Sequence, residues 1–324
     1  MKRIVTLLSV LSCLLSFAHA QSPSTTATPK TARVGVVLLA HGGSALEWNE
    51  EVRHVADQVD LTMPTEVAFG MATKSAMQAA VNRLVARKVT EIVAVPLFVS
   101  SHSSVIDSIS YLFGLRSQEP EDLKMFAEMD HGNGRMTMDH GAMSHDTAMS
   151  SEARKPISSP VPIRMASALD HHRIVADILG DRAASISRDP AHEVVVLVAH
   201  GPVPDDENKL WLANMGTLAD EMKQQSHYVG IESLTLRDDA DKPVRDAATQ
   251  QLRQKVEQIS KDGNTALIVP LLLSYGGIED GLRKRLEGLN YRMPSQALLP
   301  DKRIVDWVID SAQATPSAPD KAGK

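Results

Sequence analysis

Apolar and polar positions alternate in blocks along most of this chain. The apolar run Val34–Ala40 is followed by an amphipathic stretch, "LEWNEEVRHVADQV", and then by a second short run, "EVAFGMA". A helical pattern, "KSAMQAAVNRLVARK", leads to the run "EIVAVPLFVS" and on to "SSVIDSISYLFGL". After an interruption come "VPIRMAS" and "HHRIVADILGDRAA". Short Val/Ile/Leu runs alternating with helix-period segments predict parallel strands covered by helices on both faces.

The pattern then repeats. "EVVVLVAHG" matches "VGVVLLAHG", "ALIVPLLLSYGG" matches "EIVAVPLFVSSHS", and "YRMPSQALLPDKRIVDWV" matches "IRMASALDHHRIVADI". Three matched segments in one order indicate a duplication, with repeats at 33–188 and 189–312. Between the third and fourth strands the first repeat is longer by about 46 residues, so it carries an insertion at about 117–160.

The ends have a different composition. Lys2 and Arg3 precede an apolar stretch from Ile4 to Phe17 and then Ala18-His19-Ala20, the order of a secretory signal covering 1–20. This implies export, most simply to a periplasm, with no membrane contact beyond the signal. Residues 21–32 have a linker composition, and 313–324 a disordered-tail composition. Cys13 is the only cysteine, so the mature chain offers no thiolate, and metal chemistry falls to His, Met, Asp or Glu. A net charge of -6 and 4% aromatic residues argue against a nucleic-acid partner.

Ligands of open α/β sheets bind beyond the carboxyl ends of the strands. His41 and His200 stand there in "AHG", and His102 follows "VAVPLFVSS". A single His-Gly after a strand is a weak signal. Two histidines at the rims of neighbouring strands can hold a divalent metal or accept protons.

In these segments the chain resembles the class II tetrapyrrole chelatases, the CbiX/SirB-like sirohydrochlorin cobalt- and ferrochelatases. The resemblance runs from about Arg33 to Ala312 outside the insertion, carried by "LLAHGG", "VPLFVSSHSSVID", "VAHGP" and "VPLLLSYGGIEDGL". It implies two duplicated α/β halves, each a four-stranded parallel sheet flanked by helices, facing across a cleft. It also implies insertion of cobalt, iron or nickel into a tetrapyrrole. His41 and His102 fall on the family's strand-end histidines, as catalytic and metal-binding residues. His200 keeps the position of His41 in the second half. Gly276 stands where His102 would repeat, which leaves Glu279, three residues on, as a carboxylate that either joins His200 on a metal or is a solvated helix residue. Arg237 and the run Arg283-Lys284-Arg285 could meet substrate carboxylates, although the run also fits a solvated helix face. His172 could cap a helix or line the cleft.

The insertion carries a second signal. Met125, Met129, His131, Met136, Met138, His140, Met143, His145 and Met149 crowd into one Gly/Asp/Ser-rich stretch with no helical or strand period. Thioethers select soft ions, so copper is the expected metal, and neither core should need the segment 125–149. Two function classes follow: a chelatase, and an exported metal-sequestering or delivery protein built on the same fold.

Overall fold

The computed structural model describes residues 32–43, 45–130 and 151–316. The first repeat contains β1 (Val34–Ala40), α1 (Leu46–Asp60), β2 (Thr65–Phe69), α2 (Lys74–Ala86), β3 (Glu91–Pro96), α3 (Ser104–Leu112), α4 (Leu123–Asp130), β4 (Ile163–Met165) and α5 (Arg173–Ile186). The second contains β5 (Glu193–Ala199), α6 (Asp205–Gln224), β6 (Gly230–Thr235), α7 (Lys242–Lys261), β7 (Thr265–Leu271), α8 (Ile278–Arg285), β8 (Tyr291–Arg292) and α9 (Lys302–Ala314). Two four-stranded sheets result, ordered β2-β1-β3-β4 and β6-β5-β7-β8, with every pairing parallel. The duplication expected from the sequence is thus present strand for strand. The last helix runs two residues into the expected tail.

The period of two along each strand sorts the core. Val36, Leu38, Ala40, Val93 and Val95 point to one face of the first sheet, and Val37, Leu39, Ile92 and Ala94 to the other. In the second sheet Val195, Leu197, Ala199, Leu267 and Val269 oppose Val194, Val196, Val198, Ala266 and Ile268. The first-named sets of both sheets share one continuous core with buried residues of α1, α5, α6 and α9. The outer faces are closed separately, by α2 to α4 on the first sheet and by α7 and α8 on the second. Each fully buried Leu or Val contributes about 1.5–3 kcal/mol.

The final helix of each repeat crosses to the other half. Helix α5 packs on α6 and β7, and α9 packs on α1 and β3. Arg182 of α5 fixes the crossing by donating to the carbonyls of Ala297 at 2.7 Å, Leu298 at 3.3 Å and Pro300 at 3.1 Å. Arg303 of α9 answers with Asp181 at 2.7 Å.

The ends of the insertion belong to the first half. Leu123 and Phe126 lie in the core formed with α2 and α3, and Phe126 and Ala127 are each 3% exposed. On the return, the Ile157 N–H donates to the Leu112 carbonyl at 2.7 Å, and Gln78 exchanges two hydrogen bonds with Ser158. Lys74 pairs with Glu152 at 3.0 Å. The expectation that neither core needs 125–149 is therefore corrected: the helical pattern of "LKMFAEMD" buries an apolar stripe that includes Phe126 and Ala127. His131, Met136, Met138, His140, Met143, His145 and Met149 lie outside the described residues.

At the amino ends of β5 and β8, Glu193 is 1% exposed. Burial alone would raise its pKa. The Ser187 hydroxyl, the N–H groups of Arg188 and Asp189 and the Arg292 guanidinium outweigh that and lower it from 4.5 to about 2. A depressed carboxylate pKa stabilises the fold above the unfolded value, and that stability is lost as pH falls through the folded one. Between pH 5 and 2 the unfolding free energy should drop by on the order of 3 kcal/mol from this group. In Glu193→Gln that part of the pH dependence should vanish, as denaturant titrations at several pH values would show.

Candidate functional site

The strand that ends in His-Gly has a geometric reason. Gly42 and Gly201 both have φ of +76°, where a side chain is strained. A Cβ on Gly201 would also come within 2.6 Å of Thr235, and one on Gly42 within 3.4 Å of Phe69. Each glycine turns the chain sharply and leaves the preceding histidine at the rim of the sheet.

His41 is exposed, and its Nδ1 lies 2.5 Å from the Gly42 carbonyl. Donation there leaves Nε2 with the lone pair in the neutral ring, free to take a proton or a metal. Among the described residues nothing hydrogen-bonds to that nitrogen. His200 repeats the contact, with Nδ1 2.9 Å from the Gly201 carbonyl, but its Nε2 meets Asp239 at 3.4 Å. The two equivalent histidines therefore differ: one ring is open and the other is engaged.

His102 enters on the neighbouring strand. β1 and β3 pair in register, Leu39 opposite Pro96, so both histidines follow the carboxyl ends of adjacent central strands. The loop carrying His102 is held from three sides. The His102 N–H donates to Ser100 Oγ at 3.1 Å. Ser101 donates to Asp170 from both its N–H and its hydroxyl, each at 2.7 Å. From the second half, Trp211 Nε1 donates to the His102 carbonyl at 2.7 Å. Asp170 holds this network at φ +45°, a strained conformation for a residue with a side chain. These contacts fix the backbone and leave the imidazole without a hydrogen bond among the described residues.

The matching corner of the second half is filled. A Cβ on Gly276 would lie 3.4 Å from Trp48 and 3.8 Å from Ala45, both in the first half. The indole takes the space that a histidine side chain would need, and it rests on Phe69 with ring centroids 6.5 Å apart. Ser274 donates its hydroxyl to Glu51 of α1, closing the same seam.

The remaining candidates are engaged locally. Glu279 Oε2 accepts the N–H groups of Gly276 at 3.0 Å and Gly277 at 2.9 Å, capping the turn before α8. Arg237, buried and at φ +56°, donates to the Val203 carbonyl and to Asp205, and its own N–H donates to the His200 carbonyl. It clamps the loop after β5. Arg283 pairs with Asp280 at 3.1 Å and Arg285 with Asp238, while Lys284 is exposed. His172 caps α5 by accepting the Ile174 N–H at 3.3 Å, and His171 meets Asn214 at 3.1 Å. Met125 is exposed on α4, and Met129 lies in that helix's last turn. Among the described residues no three His, Cys, Asp or Glu side chains are gathered around a metal position.

Sequence reasoning missed Glu207, in the first turn of α6. Its pKa is raised, by burial first and then by Asp206, Asp107 and Asp122, with His102 acting against them. It also missed Trp48 and Trp211. All three act across the seam between the halves, which no pattern within a strand or helix encodes.

With this geometry in view, the likenesses to known proteins are informative. Residues 35–186 match the CbiX family model. SirB from Bacillus subtilis with Fe3+ superposes with a TM-score of 0.55 at 14% identity, over 87% of this chain and 94% of that one. The sirohydrochlorin chelatase SirB from Bacillus subtilis subspecies spizizenii in complex with cobalt gives 0.53 at 11% over the same shares. DR2241 from Deinococcus radiodurans, a multi-domain protein with structural similarity to chelatases, gives 0.51 at 17%, and only 54% of its length is covered. No curated protein matches the chain. The chain thus carries the duplicated α/β architecture seen in SirB, and its first half is the part that matches CbiX.

Proposed function

We propose that this protein inserts a divalent metal, cobalt, iron or nickel, into a sirohydrochlorin-type tetrapyrrole. The observation that carries the reading is the pair His41 and His102, each with an imidazole nitrogen that meets no partner among the described residues, beyond the carboxyl ends of adjacent parallel strands in a chelatase-like fold. Insertion must remove two pyrrole N–H protons and strip water from the ion. His41, with Nδ1 tied to the Gly42 carbonyl, presents Nε2 as the base or metal donor. His102, on its three-way-anchored loop, presents the second. Neither imidazole is locked into a closed cage, which suits an ion that must leave for the macrocycle. Exposed apolar side chains on the segments leaving β1 and β5, namely Leu46, Val203 and Leu210, offer contact for a planar ring. The metal and the tetrapyrrole are both substrates here.

The signal-like amino terminus and the Met/His stretch add a second element. We propose that the chain is exported to a periplasm and that the stretch from Met125 to Met149 binds copper. These features favour the alternative, a sequestering or delivery protein on the same fold. Mixing the purified protein with sirohydrochlorin and Co2+, Fe2+ or Ni2+ and following the absorbance of the macrocycle separates the two. Metal-dependent spectral change faster than the uncatalysed control is expected. Rates equal to that control with all three ions would leave the binding-protein reading.

A further inference from the structure

The two halves trade residues across their seam, and the trade is unequal. Asn49 lies 3.6 Å from the Cβ position of Gly42, and Asn208 lies 3.2 Å from that of Gly201. The two asparagines therefore occupy equivalent places behind the two His-Gly turns. The residues just before them, Trp48 and Glu207, are equivalent in turn. Trp48 of the first half stands against Gly276 of the second. By the same relation the counterpart of Trp48 at the His102 corner, the residue equivalent to Gly276, is Glu207 of the second half, and His102 acts electrostatically on its carboxylate.

An independent contact agrees. Trp211, one helical turn beyond Glu207 on the same face of α6, donates to the His102 carbonyl at 2.7 Å. The face of α6 that carries Glu207 is thus docked on the His102 loop. At one corner the exchanged residue is an indole that plugs; at the other it is a carboxylate.

From this geometry we propose that Glu207 belongs to the metal-insertion site itself: the second half supplies a carboxylate that receives the divalent cation together with His102. The inference rests on the chelatase reading and deepens it. A carboxylate oxygen and an imidazole nitrogen are a donor pair suited to Co2+, Fe2+ and Ni2+. The surroundings favour a cation, since Asp206, Asp107 and Asp122 all act on Glu207. Asp107 is partly neutralised by Arg116 at 2.5 Å. The same account explains why one of two equivalent corners would be functional: Trp48 offers no donor, and Gly276 offers no side chain.

The test uses Co2+ alone, titrated calorimetrically into the full-length protein, the Glu207→Gln and Glu207→Asp variants, and the control Asp206→Asn. Glu207→Gln should weaken Co2+ binding by about tenfold or more, Glu207→Asp should recover part of it, and Asp206→Asn, which removes one charge of the surrounding field but no donor, should weaken it clearly less than Glu207→Gln does. Thermal melts should coincide, because Glu207 is only half-buried on the helix surface. Unchanged Co2+ affinity in Glu207→Gln would overturn the proposal. Equal losses in Glu207→Gln and Asp206→Asn would also overturn it, by reducing the effect to the general acidic field. Because this readout needs no tetrapyrrole, it stands apart from the insertion assay: a parent protein that binds Co2+ through Glu207 but inserts nothing would sink the chelatase reading and keep the site.

Discussion

Replacing both His41 and His102 by alanine should reduce metal insertion to the uncatalysed rate. One base in the right place is typically worth about 10²–10⁴-fold, and here two imidazoles follow the carboxyl ends of adjacent strands. Each single variant should lose at least about 10²-fold. The fold should survive, because His41 is exposed and the His102 loop is held through backbone groups, Ser101 and Trp211 rather than through the imidazole. His200→Ala should cost far less: its ring already meets Asp239, and its neighbouring corner is occupied by Trp48. Absorbance assays of the four variants, with circular dichroism to confirm folding, check this. Full activity in the double variant would reject the assignment.

Two deletions in the insertion should differ sharply. Replacing 131–150 with a short Gly/Ser linker should leave the metal-free melting curve nearly unchanged, because each halving of a loop alters its closure entropy by only ~0.6 kcal/mol. That variant should bind less Cu(I) in a competition titration. Removing 125–149 also removes Phe126 and Ala127 from the core against α2 and α3. Loss of a buried Phe alone costs about 3–5 kcal/mol, a large part of a typical stability of about 5–15 kcal/mol. The longer deletion should therefore melt far lower or fail to fold. Equal copper stoichiometry in the parent and the 131–150 variant would refute copper binding there. Equal melting of the two deletion variants would refute the structural role of α4.

The layered sheets were legible because each strand carries its own signal. A run such as "EVVVLVA" can hide on both faces only if helices cover both, and the repeat of "AHG" at matching places announces the duplication. What escaped is relational. The pattern of "RIVADILGDRAASI" shows that α5 has an apolar stripe but not which sheet the stripe covers, and it covers the neighbour's. Likewise "EWNE" and "DENK" look like ordinary first turns. Only docking reveals that Trp48 fills one corner and that Glu207 lies within electrostatic reach of His102 at the other. In the insertion, the absence of period in the Met/His run hid the short helical stripe just before it.

The crossing of α5 and α9 bears on how the chain can be made. A ribosome or a translocation channel delivers the first sheet long before Lys302 emerges. Until α9 arrives, Val36, Leu38, Val93 and Val95 lack the helix that covers part of their face. The first half therefore completes its core only when the last helix has been made. Fragments ending before Lys302 should stay sticky and protease-sensitive, and should recover when a peptide spanning Lys302–Ala314 is supplied. The two repeats are thus expected to mature together rather than in turn.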